Sequence, residues 1–518
     1  MEEEPIKNES LSVKTSRNTI WNIGGFLFSL VITFITIPLF ISLLGDENYG
    51  LFVLFQSVMV SFSLIGLGVA PATVKYVAES IGRGDYGRAN QFINTTLCFN
   101  LLVGMVGFIA IILLADPLAH KILKIPIESQ ITVQKCFYWM ATGWFVAQIA
   151  GTLKGIPTAF QNFKFVAIGT SFFFGLMALV GLTVLRTGGN LVNLVQSNAA
   201  VLTISIIGWW FLARRVFPEL QIRTKFDRCL FKKTISYGSW QTVADIGGMM
   251  YHWLDRVIIG IFLPPAAIGY YNVPVTLCSK GHTGLSQIGT VFFPLISYLQ
   301  GKNEKKKIYK YFINGSWIIG LFSAGIYIPL LIFGKTFLEL WVGHGFAEKN
   351  CSLFSILIIA FFFLSTGIIR YMFMAGIDKV RWNVLAAWIA GVIGLGVNII
   401  LIPKFGLAGA GFGYLSSSVS GITIAIIIKT KFFADKSWFE YLYHTYGPLI
   451  VGTIILFLSY TFLSSREIKS WFNFLIYYLT FASFTMGVIV VSDIIMMGGE
   501  KIKFLKKVTK IFLGKSSF

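Results

Sequence analysis

The chain is short of charge. Asp, Glu, Lys and Arg make up only 13% of its 518 residues, and acids are the scarcer half, 23 against 43 basic residues. Soluble domains carry about 25% charged residues. This composition therefore excludes a string of water-exposed domains, although the length alone would hold about three. Cysteine is scarce as well. Cys98, Cys136, Cys229, Cys278 and Cys351 form no CxxC pair, which argues against a disulfide framework or a zinc site. There are five histidines and no HExxH, and Gly514-Lys515-Ser516 resembles the end of a phosphate-binding loop whose first glycine is replaced by Thr509. No cofactor site is expected. What is present is apolar: 55% hydrophobic residues, 16% aromatic and a mean hydropathy of +0.73. The first apolar run is too long for a signal-peptide core and no small-residue cleavage site follows it, so it reads as a retained helix.

Apolar runs long enough to cross a bilayer need about 20 residues. Fourteen such runs are read, at 19–44, 50–70, 92–115, 136–153, 165–185, 191–213, 236–263, 268–299, 311–334, 350–374, 382–402, 406–428, 446–463 and 471–497. The fold class is an all-α polytopic membrane protein. Tight joints are expected at Gly45–Tyr49 and Pro264–Ala267, and spans seven and eight are polar enough to be irregular. With the N-terminus inside, 31 of the 43 basic residues fall in cytoplasmic segments and nine in outer loops. That bias places both termini in the cytoplasm of a cell (inner, cytoplasmic) membrane. It also assigns the +20 net charge to the membrane face rather than to nucleic acid. The outer loop near Asp116–Lys135 is too short to house a catalytic domain, and the inner loop Arg214–Ile235 is basic.

An internal repeat crosses that basic loop. Ile23-Gly24-Gly25 recurs as Ile246-Gly247-Gly248, and Pro71 recurs as Pro294, both 223 residues apart. Six spans separate the copies, so both run the same way through the membrane. The expected organisation is an N-lobe (1–213), a basic linker (214–235), a C-lobe (236–428), and a terminal helix pair with a basic tail (429–518). The offset aligns Asn18, Asn22, Gly25, Ser29 and Thr33 with Gln241, Asp245, Gly248, His252 and Arg256. Their spacing of i, i+4, i+7, i+11 draws one stripe on one helix face. A polar stripe in a bilayer must face protein or a water-filled cavity. Two such stripes related by a repeat would face each other across a central lumen.

Ionisable residues inside spans are functional candidates because they are costly in lipid. Arg256, Lys280 and Arg370 would give the lumen a basic character suited to an anion, with Lys75 and Arg83 extending it toward the cytoplasm and Asn18, Asn22 and Gln241 lining it. Arginine binds phosphate oxygens through a planar fork of donors. Asp245, His252 and Asp255 are candidates for ion coupling. Asp255–Arg256 also reads as a pair that locks helices, Arg370 as a residue snorkelling to the surface, His282 as a packing residue and Asp493 as interfacial. The sequons Asn94-Thr95-Thr96 and Asn314-Gly315-Ser316 lie on the inner side of spans, where they cannot be read as glycosylation sites.

The stretch Asn18-Thr19-Ile20-Trp21-Asn22-Ile23-Gly24, with Pro38, Leu44-Gly45 and Tyr49-Gly50-Leu51, resembles the polysaccharide-transporter branch of the multidrug/oligosaccharidyl-lipid/polysaccharide flippase superfamily. Gly66-Leu67-Gly68-Val69-Ala70-Pro71 and Lys75-Tyr76-Val77-Ala78-Glu79 resemble it too. The resemblance implies two lobes working by alternating access and a lipid-linked oligosaccharide, usually on undecaprenyl pyrophosphate, flipped to the outer leaflet. It implies basic lumen residues that serve the pyrophosphate, with Arg256, Lys280 and Arg370 as candidates by position. Expected partners are membrane lipids, a polysaccharide polymerase and glycosyltransferases; a proton or sodium gradient would drive the cycle. A cation-coupled drug exporter of the same superfamily is the alternative, disfavoured by the basic lumen. A membrane glycan polymerase is a further one, disfavoured by the lack of a large outer loop.

Overall fold

A computed structural model describes residues 11–62, 66, 69–223, 225–463, 468–497 and 501. Within these, the side chains of residues 11–20, 237, 240, 241, 244, 245, 251, 252, 294, 449, 459–463 and 497 are not described. The side chains of Asn18, Gln241, Asp245 and His252 therefore lie outside the described set, as does the Gly514-Lys515-Ser516 segment.

The described residues form helices and connecting turns, with no strand among them. In chain order they are α1 (Leu11–Phe62), α2 (Val69–Gly82), α3 (Tyr86–Pro117), a π turn (Leu118–Ile122), α4 (Ile127–Ala159), α5 (Phe163–Arg186), α6 (Leu191–Val216), α7 (Arg228–His252), α8 (Leu254–Phe262) and α9 (Pro265–Gly289). There follow α10 (Phe292–Gly301), α11 (Lys305–Val342), α12 (His344–Thr366), α13 (Ile368–Gly376), α14 (Val380–Phe405), α15 (Leu407–Ser420), α16 (Ile422–Phe432), α17 (Trp438–Leu463) and α18 (Trp471–Met497).

Among the described residues nine helices are long and apolar enough to cross a membrane, ten if the bent α17 is taken as one span. Fourteen apolar runs exceed that number for physical reasons. Gly45, at φ 76°, divides α1 into two helical limbs that run on without a gap. Span seven breaks at Trp253 into α7 and α8, and span eight breaks at Thr290–Val291 into α9 and α10. Spans ten and twelve bend at Gly367 and Gly421 yet each still counts as one crossing, whereas α4, which holds the fourth run, falls outside the nine. The anticipated loop at 116–135 shrinks to residues 123–126, because the π turn and the start of α4 absorb the rest.

Local chemistry sets the helix starts. Asp85 caps α3 through the Arg88 amide (2.8 Å), and Asn162 caps α5 through the Phe165 amide (3.3 Å). Asn190 and Asn193 form a reciprocal capping box on α6. Asp227 accepts from the Cys229 and Leu230 amides at the start of α7. Pro265 opens α9, where its missing N–H costs nothing.

Packing repeats across the chain. In the first half α2 packs on α3, α3 on α4, α4 on α6, α5 on α6 and α1 on α5; in the second, α10 packs on α11, α11 on α12, α12 on α15, α14 on α15 and α7 on α14. α17 and α18 both dock on α11. The halves meet mainly through α1 against α9, and through α2 against α7.

The connection between the halves is not a loose basic loop. α6 runs to Val216 and α7 begins at Arg228, and the described residues between them, 217–223 and 225–227, form a strap held on α3. Asn90 donates to the Glu219 carbonyl (3.0 Å) and accepts from the Gln221 amide (2.9 Å). Asn94, one turn on, donates to the Gln221 carbonyl (2.8 Å) and accepts from the Arg223 amide (2.7 Å), and Thr95 accepts from the Asp227 amide (3.2 Å). The Asn94-Thr95-Thr96 sequon thus serves the fold, pairing with this strap as a neighbouring strand would.

Candidate functional site between the halves

A cavity of about 580 Å³ lies where the halves face each other. Its first wall is α1, through Ser29, Thr33, Thr36 and Phe40 before Gly45, and Tyr49, Phe52, Val53 and Gln56 after it. Its second wall is α8 and α9, through Arg256, Asn272, Val275, Thr276, Ser279 and Lys280. Phe174, Asn198, Trp253 and Tyr414 are among the other lining residues. Adding 223 to Tyr49, Phe52, Val53 and Gln56 gives Asn272, Val275, Thr276 and Ser279. The repeat therefore builds both walls. At its centre the symmetry becomes a contact: Asn272 donates to the hydroxyl of Tyr49 at 3.4 Å, across 223 residues.

Among the described residues the charged side chains of the cavity, Arg256 and Lys280, are both on the second wall. Arg256 is 4% exposed and lies between the rings of Trp253 and Tyr271. Its Nε donates to Asn272 Oδ1 (3.0 Å) and its guanidinium to Asp255 Oδ1 (3.1 Å). Asp255, 1% exposed, also accepts from the Arg256 amide (2.7 Å) and from the Tyr271 hydroxyl (2.5 Å). This is the geometry of a locking pair, with Arg256 in the cavity wall and Asp255 buried behind it. Lys280 is half-buried, and its Nζ donates to Ser29 Oγ on the opposite wall at 3.0 Å. Among the described residues no carboxylate pairs with Lys280, and none lines the cavity.

Other candidates lie elsewhere. Arg370 is 4% exposed and is not among the residues lining this cavity; it makes weak bonds to Tyr446 on α17 (3.5 Å) and Thr366 (3.4 Å). It is buried rather than snorkelling. Lys75 is exposed on α2 and Arg83 just beyond its end; Arg83 pairs with Glu79 (2.6 Å) and borders a second cavity of about 200 Å³ with Arg88 and Lys233. Asn22 is exposed and does not reach the central cavity. His282 bonds Ser365 (3.0 Å), as a packing residue should. Asp493, 1% exposed, is paired with Lys501 rather than lying at an interface, and Lys501 bonds His444 (2.9 Å).

The halves touch at both ends of the cavity. At the end bearing Gly45, a Cβ on Gly50 would stand 1.9 Å from the Pro265 carbonyl oxygen, so only glycine fits. There the Lys124 amide donates to the Gly260 carbonyl (2.9 Å), Tyr270 donates to Asp46, and Lys349 donates to the Tyr270 hydroxyl (3.0 Å). At the end bearing the strap, Lys233 lies over the Tyr76 ring at 4.6 Å.

This two-walled arrangement can be compared with known proteins. The polysaccharide biosynthesis protein family matches residues 15–300. The chain belongs to that family. It is 21% identical over 418 residues to a putative O-antigen transporter of Shigella flexneri, covering 80% of this chain and 96% of the relative. Its fold is that of the lipid II flippase MurJ in an inward closed conformation, with a TM-score of 0.72 over 92% of this chain and 98% of that one. An inward-facing multidrug resistance MATE transporter shares the fold at a TM-score of 0.68, covering 80% of this chain and 98% of that one. Both structures are 13% identical in sequence, so the likeness is one of fold. The protein is a helical, multi-pass membrane protein of a transporter fold. Sequence reasoning missed Tyr49, Asn272, Gln56, Thr276 and Tyr414 as lining residues. Extending the offset of 223 from the first helix of each half to the second would have found the paired ones.

Proposed function

We propose that the protein is a flippase for a lipid-linked oligosaccharide, carried on a polyprenyl pyrophosphate such as undecaprenyl pyrophosphate. It moves the repeat unit from the cytoplasmic to the outer leaflet by alternating exposure of the central cavity. The observation that carries this reading is the cavity's lining: aromatic rings, amides and hydroxyls suited to a sugar, with Arg256 and Lys280 as its charged groups. A pyrophosphate would be held by these two cations, and an exporter of cationic drugs would call for acids in their place. The family and the O-antigen transporter support the same substrate class. Arg370, buried against α17, and Lys75 and Arg83, at the strap end, would act outside this cavity.

Asp245, His252 and Asp255 remain the groups proposed for ion coupling. Protonation of Asp255 would weaken its hold on Arg256 and so link proton uptake to the arginine. Asp245→Asn and Asp255→Asn variants that transport normally across an imposed proton gradient would overturn that part. On this reading both termini would lie in the cytoplasm, with polymerase and glycosyltransferases as working partners in surface polysaccharide synthesis. Deletion of the gene tests the whole: surface polysaccharide should vanish and lipid-linked repeat units should accumulate inside. Unchanged surface glycans would refute the reading.

A further inference from the structure

The bond from Lys280 to Ser29 crosses the cavity and joins one half of the protein to the other. The donor is an ammonium on α9; the acceptor is a neutral hydroxyl on α1. No carboxylate among the described residues pairs with that ammonium. An anionic oxygen is a stronger acceptor than a hydroxyl for the same donor. The two therefore compete for Lys280, and the anion has the advantage. The repeat does not duplicate this arrangement: the position 223 residues before Lys280 is Ser57, fully buried and bonded to the Val53 carbonyl of its own helix (3.0 Å). Among the described residues the charged tie from Lys280 thus has no symmetric counterpart; the other bond between these two walls, from Asn272 to Tyr49, is neutral.

From this geometry we infer that Ser29 is a positioning residue, the stationary half of a latch that an anionic substrate group displaces. In the empty cavity Lys280 holds α1 through Ser29. When a phosphate or pyrophosphate oxygen arrives, Lys280 turns to it, the tie is lost, and the α1–α9 contact loosens. Binding energy is in this way spent on freeing the two halves to move. The inference rests on the anion reading proposed above and adds the means by which the anion is sensed.

The sign of one substitution separates a latch from a ligand. Ser29→Ala removes the competitor, so the full-length protein in lipid nanodiscs should bind inorganic pyrophosphate three- to tenfold more tightly than the parent by titration calorimetry. Ser29→Thr, which keeps the hydroxyl, should bind as the parent does. Lys280→Gln should weaken binding at least tenfold, and adding Ser29→Ala to it should change nothing more. Amide exchange along the cavity face of α1 should rise on adding pyrophosphate to the parent, and should already be raised in Ser29→Ala without it. If Ser29→Ala weakens binding or leaves it unchanged while Lys280→Gln weakens it, the latch is wrong and the anion site stands. If Lys280→Gln binds pyrophosphate as the parent does, the anion reading itself falls and takes the latch with it.

Discussion

Replacing Asn94 with alanine should release the strap between the halves. The Asn94 side chain is 5% exposed and makes two bonds to strap backbone, at 2.8 Å to the Gln221 carbonyl and 2.7 Å from the Arg223 amide. Each such bond nets about 1 kcal/mol, and backbone groups left dry and unpaired cost about 1–3 kcal/mol more. Water will reach part of the exposed strap, so a local loss of about 2–3 kcal/mol is expected, or roughly 30- to 150-fold in the population of the released segment. The strap offers trypsin Arg223 and Lys225, and Arg228 opens α7 beside it, all exposed. Cleavage of a backbone held on α3 requires its prior release, so the cleavage rate follows that population. The assay is limited trypsin digestion of the full-length protein in detergent, followed by the appearance of the two half-chains. Asn94→Asp keeps the acceptor and loses the donor, and should fall between alanine and the parent. Cleavage of Asn94→Ala at the parental rate would show that the strap is held by something other than the α3 amides.

Further outcomes follow from packing and charge. Gly50→Ala would drive a methyl into the Pro265 carbonyl, so it should part the halves at that end and lower the unfolding temperature; Gly24→Ala, with nothing within 4 Å of its Cβ, should be neutral or slightly stabilising. Asp493→Leu strands the buried Lys501 and should cost about 3–5 kcal/mol, with most of it recovered in Asp493→Leu/Lys501→Met, read by thermal unfolding. Arg370→Met should leave pyrophosphate affinity within about twofold of the parent, since contacts outside a binding site contribute little; a loss of about tenfold would place Arg370 in the anion site.

The helical, membrane-embedded character and the repeat could be read from the sequence because both are patterns along the chain. Apolar runs and an offset of 223 need no knowledge of which helix touches which. The offset even contained the cavity: Tyr49 and Asn272 are equivalent positions and meet. What escaped depends on pairings between distant elements. Asn90 and Asn94 find their partners more than 120 residues away, in a strap whose own sequence is polar and unremarkable as a pattern. Arg370 belongs to the repeat, but the element it faces, α17, does not, so no symmetry argument could place it. Helix breaks at Gly367 and Gly421 were hidden because a glycine in an apolar run looks the same whether the helix continues or stops.

The unequal charge of two walls built from one repeat has a physical rationale. Thr33 stands where the second wall has Arg256, and Ser57 where it has Lys280. A symmetric cavity would gather four cations around one space with no acid among the described residues of its lining, and their mutual repulsion in a poorly solvated site would work against closing the halves. Had acids balanced them across the cavity, each opening would strip a charge from its partner, at a cost of several kcal/mol. A neutral wall avoids both. Its Ser29 hydroxyl holds Lys280 of the other half by a bond worth about 1.5–3 kcal/mol at most, weak enough for an anion to replace. The charged wall can then keep its anion while the neutral wall moves. The N-terminal stripe of Ser and Thr is on this view a working surface, whose neutrality lets the halves separate.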